Sequence, residues 1–282
     1  MLIIHSMKAL FFIVCIVSAV ACGDSTPAES TPINPTLGAW THDNRLAFDG
    51  RTRTYSLYMP SSGETLGLMV VLHGSGQAVD NMISQVAPEA TAESNGLIVA
   101  VPAGVDDGWN DEDPPGGALA NDVGFIDALV AQIKTAYPAI PTNKVFAHGF
   151  SNGGGLATRL ACEGSQIRGI GVVGNYYVSL SSDCQRARGY SIPGWFGAGV
   201  DDALVRVESV RATMSNYTAD LTSCSGAGSL EPVQVEGLTS DVACKQVSGC
   251  GLARLCEYTG RGHEMLPGSF EAAWQFLSGS VE

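Results

Sequence analysis

Positive charge is scarce in this chain of 282 residues: 15 Lys and Arg stand against 28 Asp and Glu, a formal net charge of −13. Such a balance repels phosphate backbones and anionic headgroups, which excludes nucleic acid and an anionic lipid face as expected partners. No C-x-x-C pair occurs and the cysteine spacings are irregular, so a zinc site is not indicated. Asp106 to Asp113 (DDGWNDED) gathers oxygen donors, but its spacing matches no standard calcium loop, and neither a metal nor an organic cofactor is expected. No run approaches the roughly 20 apolar residues that a helix needs to cross a bilayer, and no internal repeat is visible. Histidine is rare, with five in the chain. Apolar residues are not: at 45% they suffice for a sizeable core and argue against disorder over most of the length.

The N-terminus reads as an export segment. Lys8 precedes a mostly apolar run from Ala9 to Val20, closed by Ala19-Val20-Ala21-Cys22, so residues 1–21 are expected to be a signal peptide. Small residues directly before Cys22 resemble a bacterial lipobox, which would leave Cys22 acylated and the protein lipid-anchored at the cell envelope; simple secretion with cleavage near Ala21 is the alternative. Loss of residues 1–21 removes Lys8 and no acid, making the charge one unit more negative. Residues 22–37 carry the Ser, Thr and Pro of a solvated tether. Six cysteines then remain, at 162, 184, 224, 244, 250 and 256, an even set that reads as disulfides in an exported protein. Of the 15 possible pairings, Cys162 with Cys184 is expected, with the other four stapling the segment before the last strand.

One domain is expected over residues 38–282. Short apolar stretches alternate with helical ones, as in a mainly parallel sheet with helices on both faces. Arg53 to Met59 alternates with period two and suggests an edge strand, whereas Leu68 to Leu72 and Leu97 to Val101 are continuously apolar, as strands covered on both faces are. Val123, Ile126, Leu129, Val130 and Ile133 fall on one face of a helix from Asn121 to Tyr137, capped by Asn121 or Asp122. Further strands are expected at Ile167 to Val173 and Pro193 to Val200, and a helix at Val205 to Tyr217.

Gly149-Phe150-Ser151-Asn152-Gly153 spells a nucleophile elbow between an apolar KVFAH and a helical GGLATRLA. Small residues at both flanks permit the sharp strand-to-helix turn that exposes the hydroxyl, so Ser151 is the candidate nucleophile. Serine needs a base in reach, itself oriented by a carboxylate, and in α/β-hydrolases these follow in the order Ser, acid, His. Only His263 lies after Ser151, in a loop before the last helix. Asp201 and Asp202 both end the strand at Pro193 to Val200, and strand logic alone does not choose between them. The oxyanion hole requires two backbone N–H groups: one on Asn152, after the nucleophile, the other in His73-Gly74-Ser75-Gly76-Gln77, after the third strand. His73 and His148 precede the elbow and are read as structural.

Together these segments resemble the exported serine esterases that include poly(3-hydroxybutyrate) depolymerases and the feruloyl and acetyl-xylan esterases of the first carbohydrate esterase family. The match is carried by Leu72 to Gln77, Gly108-Trp109-Asn110, Asn121 to Phe125, Gly149 to Gly154, Arg159 to Cys162 and Gly262-His263. It implies an α/β-hydrolase fold, Asp202 as the acid from its register between Gly199 and Val205, and Ser75 as the second oxyanion donor. It also implies that Trp109 borders the acyl pocket, although an anchoring role in its loop fits equally. Ser75 stands where many relatives have Cys, Ala198 where they have His, and Glu264-Met265-Leu266-Pro267 replaces a shorter sequence with Trp. These departures leave the triad but not the specificity. The expected substrate is a feruloyl or acetyl ester on plant polysaccharide, polymeric or oligomeric, with poly(3-hydroxybutyrate) or its oligomers as the alternative. A non-catalytic, surface-tethered binding protein would lack a triad member, and none is lacking.

Overall fold

The computed structural model describes residues 29–111, 120–178, 190–224, 228–235 and 238–281. Among these residues ten strands form one sheet in the order β1-β2-β4-β3-β5-β6-β7-β10-β9-β8. The strands are β1 (Ala39–Phe48), β2 (Arg51–Met59), β3 (Gly67–Leu72), β4 (Leu97–Pro102), β5 (Val145–Phe150), β6 (Ile170–Val173), β7 (Gly194–Gly199), β8 (Leu230–Val233), β9 (Val242–Val247) and β10 (Ala253–Tyr258). From β4 through β10 all neighbours are parallel. The mainly parallel sheet expected from the alternation of elements is therefore present, with antiparallel ribbons at both ends.

Among the described residues six helices cover it: α1 (Val79–Val86), α2 (Glu89–Asn95), α3 (Asp122–Ala136), α4 (Asn152–Glu163), α5 (Val207–Leu221) and α6 (Ser269–Gly279). They sort onto two faces by the pleat of the strands. In β3, Leu68, Val70 and Leu72 enter a core with Phe125 of α3, Leu156 of α4 and Val210 of α5, while Met69 and Val71 enter a second core with Met82 of α1 and Trp274 of α6. A strand buried on both faces has no polar side to show, which is why LMVVL reads as an unbroken apolar run. Asn121 caps α3, its Oδ1 accepting from the Gly124 N–H at 3.0 Å, and Asp122 is free for another partner.

Three expectations change. Arg53 to Met59 lies in β2, which is not an edge strand: it pairs with β4 on one side and β1 on the other. The edge is β1, hidden in the sequence because its register shifts between Thr41 and Asn44, a bulge that breaks the period-two pattern. Second, residues 29–37 are not a free tether. Thr31 N–H donates to Arg45 O at 2.9 Å, Ala47 N–H donates to Ser30 Oγ at 2.8 Å, and Ile33 packs on the core. Hydroxyl-bearing residues that look solvated are equally able to satisfy the open edge of β1. Third, the four late cysteines pair among themselves as expected, but the staple takes in the last strand as well: Cys224 bonds Cys250, and Cys244 of β9 bonds Cys256 within β10, where the two are register partners. Cys162 is disulfide-bonded too, while Cys184, like the export segment and Cys22, lies outside the described residues. No helix among the described residues is long and apolar enough to cross a membrane.

His148 of β5 is fully buried against Trp195 and Phe270, and neither ring nitrogen has a hydrogen-bond partner. Burial pushes its pKa down to about 3, so the folded protein holds it neutral. The unfolded chain takes up that proton below about pH 6.5, so stability is lost as pH falls from 6.5 toward 3. Urea unfolding at pH 7 and pH 5 is expected to show a loss of about 2 kcal/mol from this group, absent in His148→Leu.

Candidate active site

Ser151 sits between β5 and α4 with φ +52 and ψ −120, a conformation that L residues rarely adopt. Close packing of backbone against backbone holds it there. A Cβ on Gly149 would overlap the Gly153 carbonyl, and one on Gly153 would overlap the carbonyls of Leu72 and His73. The Ser151 N–H donates to Val173 O at 2.9 Å, and its own carbonyl accepts from Gly155 N at 3.0 Å and from Asn175 Nδ2 at 2.7 Å. Asn175 carries no motif in the sequence that would have revealed this role.

The structure brings Ser151, His263 and Asp202 into one chain of hydrogen bonds. His263 Nε2 is 2.9 Å from Ser151 Oγ, and His263 Nδ1 is 2.8 Å from Asp202 Oδ2. An ionised carboxylate only accepts, so Nδ1 carries the proton and Nε2 is left to accept from the serine hydroxyl. The second oxygen of Asp202 accepts from the Leu204 and Val205 N–H groups, both at 2.8 Å, which fixes the carboxylate. Asp202 is 4% exposed, whereas the neighbouring Asp201 is exposed and uses its backbone N–H to hold Arg261 O at 2.9 Å. That bond ties the acid's loop to the histidine's loop. Gly199 makes the approach possible, since a Cβ there would overlap the carbonyls of Arg261 and Gly262. Phe150 packs against the imidazole with ring centroids 5.0 Å apart.

Beside the serine lies a cleft of about 330 Å³ that both Ser75 and Asn152 line, with Trp109, Asn110, Arg51 and Asp106. Among the described residues neither the Ser75 nor the Asn152 backbone N–H donates to a protein acceptor. The Asn152 side chain clamps the next loop: its Oδ1 accepts from Trp109 N at 2.7 Å and its Nδ2 donates to Trp109 O at 3.0 Å. Trp109 anchors its loop and also lines this cleft. Its indole is largely buried and donates to His73 O at 2.9 Å. His73 is a structural histidine: Nδ1 donates to Gly74 O at 2.8 Å and Nε2 accepts from Gly104 N at 3.0 Å. Burial lowers its pKa and keeps it neutral.

Beneath the cleft the remaining motifs meet in one buried network. Arg53 donates to Asp122 Oδ1 at 2.8 Å, Asp122 Oδ2 accepts from Asn110 N at 2.8 Å, and Arg159 donates to Asn110 O at 3.0 Å while forking onto Glu163. Asn110, Asp122 and Arg159, far apart in the chain, thus meet at the floor of the cleft. Asp122→Ala leaves the Arg53 guanidinium buried without its carboxylate, and urea unfolding is expected to show a loss of about 3–5 kcal/mol.

No protein-family model matches the chain. It is similar to the Nocardia uniformis protein named "Putative esterase NocK", 34% identical over 153 residues that make 52% of this chain and 43% of that one. It is also similar to feruloyl esterase D of Neurospora crassa, 24% identical over 193 residues, 62% of this chain and 63% of that one. The chain thus spans between two fifths and two thirds of the length of these curated relatives. Among solved structures, an acetyl xylan esterase from Aspergillus awamori superposes with a TM-score of 0.57 at 15% identity, over 79% of this chain and 94% of that one. A thermostable esterase gives 0.60 at 16%, over 86% and 63%. The fold is that of the α/β-hydrolases.

Proposed function

We propose that this chain is a serine hydrolase of carboxylic esters, with Ser151 as nucleophile, His263 as general base and acid, and Asp202 as the group that orients the imidazole. The observation that carries this reading is the continuous relay, 2.9 Å from Ser151 to His263 and 2.8 Å from His263 to Asp202, next to a cleft that the following residue, Asn152, lines. Ser151 Oγ attacks the ester carbonyl as its proton passes to His263 Nε2, and the buried Asp202 carboxylate stabilises the imidazolium. Ser75 and Asn152 N–H groups receive the oxyanion. Collapse of the tetrahedral intermediate expels the alcohol, protonated by His263, and leaves an acyl-serine. Water, deprotonated by His263, then releases the acid and restores Ser151. The names of the similar proteins support ester chemistry.

Feruloyl or acetyl groups on plant polysaccharide are the proposed substrate class, in keeping with the relatives named feruloyl esterase and acetyl xylan esterase. The disulfides Cys224–Cys250 and Cys244–Cys256 fit an oxidising compartment and hence export. Lipid anchoring through Cys22 would complete the route to the cell envelope.

Ser151→Ala is expected to abolish hydrolysis of p-nitrophenyl acetate and fluorophosphonate labelling with an unchanged melting temperature; retained turnover would overturn the assignment. Asp202→Asn should lower kcat by roughly 10⁴ through the wrong tautomer, whereas Asp201→Asn should leave it within about twofold, as surface substitutions do. Release of ferulate, acetate and 3-hydroxybutyrate from matched substrates ranks the esters. Cys22→Ser is expected to move the protein from the membrane fraction to the medium, and an unchanged distribution would refute the anchor.

A further inference from the structure

A second hollow opens at the same edge of the sheet as Ser151, on the other face of β2. It measures about 220 Å³ and is lined by His42, Asp43, Thr54, Ser56, Ala78 and Asp80 among others. Its place follows from register. Ser56 lies opposite Val101, near the C-terminal end of β4, the end at which the parallel strands deliver Ser151 and the loop after Leu72. Along β2 the side chains alternate: Arg53 turns to Asp122 under the catalytic cleft, so Thr54 and Ser56 turn the other way. Ser75 lines the cleft and Ala78 to Asp80 line the hollow, so one short stretch of chain borders both.

The hollow is shaped by the bulge in β1. His42 and Asp43 lie where the β1–β2 register shifts, and Asn44 Nδ2 holds the bulge by donating to Thr41 O at 2.9 Å and Tyr55 O at 3.2 Å. His42 Nδ1 is 3.0 Å from the buried Ser56 hydroxyl and 3.7 Å from Asp80. Both contacts fall on one ring nitrogen, so no hydroxyl-to-imidazole-to-carboxylate relay exists, and a second nucleophile is excluded. The lining offers the Asp43 and Asp80 carboxylates, the His42 imidazole and the Thr54 and Ser56 hydroxyls, with Tyr55 between them turning its own hydroxyl to Gln132, and no Lys or Arg, which disfavours anions. Among the described residues no His, Cys, Asp and Glu group is placed to hold a metal ion. Carboxylates and hydroxyls around a space for one small ring suit a neutral ligand rich in hydroxyl groups.

We infer that this hollow is a subsite for one sugar unit of the glycan chain whose ester is cleaved at Ser151, which rests on the reading of the protein as an esterase of glycan esters. A glycan seated there passes over residues 75–78 to reach the cleft. His42 and Asp80 are exposed, so each contact is weak and the effect lies in the binding of long substrates.

The test compares wild-type protein with His42→Ala/Asp80→Ala on p-nitrophenyl acetate, too short to span both sites, and on acetylated xylotetraose. The KM for acetylated xylotetraose should rise about 5–10-fold with kcat unchanged, a difference of about one power of ten in affinity, while both constants for p-nitrophenyl acetate stay the same. Unesterified xylotetraose titrated into Ser151→Ala protein should shift the His42 ring resonances saturably, and the added Asp80→Ala should abolish the shift. Equal KM values, a parallel loss on both substrates, or no saturable shift overturns the subsite. If wild-type protein cleaves p-nitrophenyl acetate but not the glycan ester, the esterase reading stands and the subsite falls. If it cleaves neither, the esterase reading falls and the titration alone judges the hollow.

Discussion

The strained turn at Ser151 is the constraint on which the rest of this structure depends. A non-glycine residue at φ +52 costs on the order of 1–3 kcal/mol, and it persists only because its surroundings leave no alternative. Two glycines allow β5, α4 and the end of β3 to touch backbone to backbone, and hydrogen bonds from Gly155 and Asn175 take both lone pairs of the Ser151 carbonyl. With the serine so fixed, α4 begins immediately behind it, and its first residue, Asn152, lines the cleft. Packing energy from both cores is thereby converted into the position of one oxygen atom.

The partners are positioned by separate means that converge on the same edge. Asp202 is held by the N–H groups of its own turn, and His263 by Asp202 on one side and Phe150 on the other. The Asp201–Arg261 bond joins their loops, so the relay geometry does not depend on a single long side chain finding its place. Across the cleft, Asn152 holds Trp109, Trp109 holds His73, and His73 holds the Gly104 backbone. Each of these groups is neutral. Rigidity along this chain of groups comes from hydrogen bonds between neutral partners, while the charged Arg53–Asp122 and Arg159–Glu163 pairs hold the floor beneath.

Local chemistry was legible in the sequence and long-range pairing was not. The elbow could be read because steric need at a tight turn selects residue types within five positions. The continuously apolar β3 and β4 could be read because burial on both faces erases alternation. By contrast, β1 was lost to a bulge, and the docking of Ser30 and Thr31 on it depends on hydroxyls that look the same in a tether. Asn175 reaches Ser151 from 24 residues away without a recurring pattern. Adjacent Asp201 and Asp202 differ only in which of them the loop buries, and the Cys244–Cys256 pairing follows from the β9–β10 register, which composition does not encode.

The bond between Cys244 and Cys256 lies across neighbouring strands, and β10 runs directly into the turn that carries His263. Peeling of the β8–β9 ribbon would otherwise be the easiest way to open this end of the sheet, since among the described residues β8 is bonded on one side only. With β9 cross-linked to β10 and Cys250 to Cys224 behind it, a cut by a protease in the intervening loop does not release a fragment. The seal protects the half of the relay that comes last in the chain: a loop nicked there keeps both of its ends tied to the sheet.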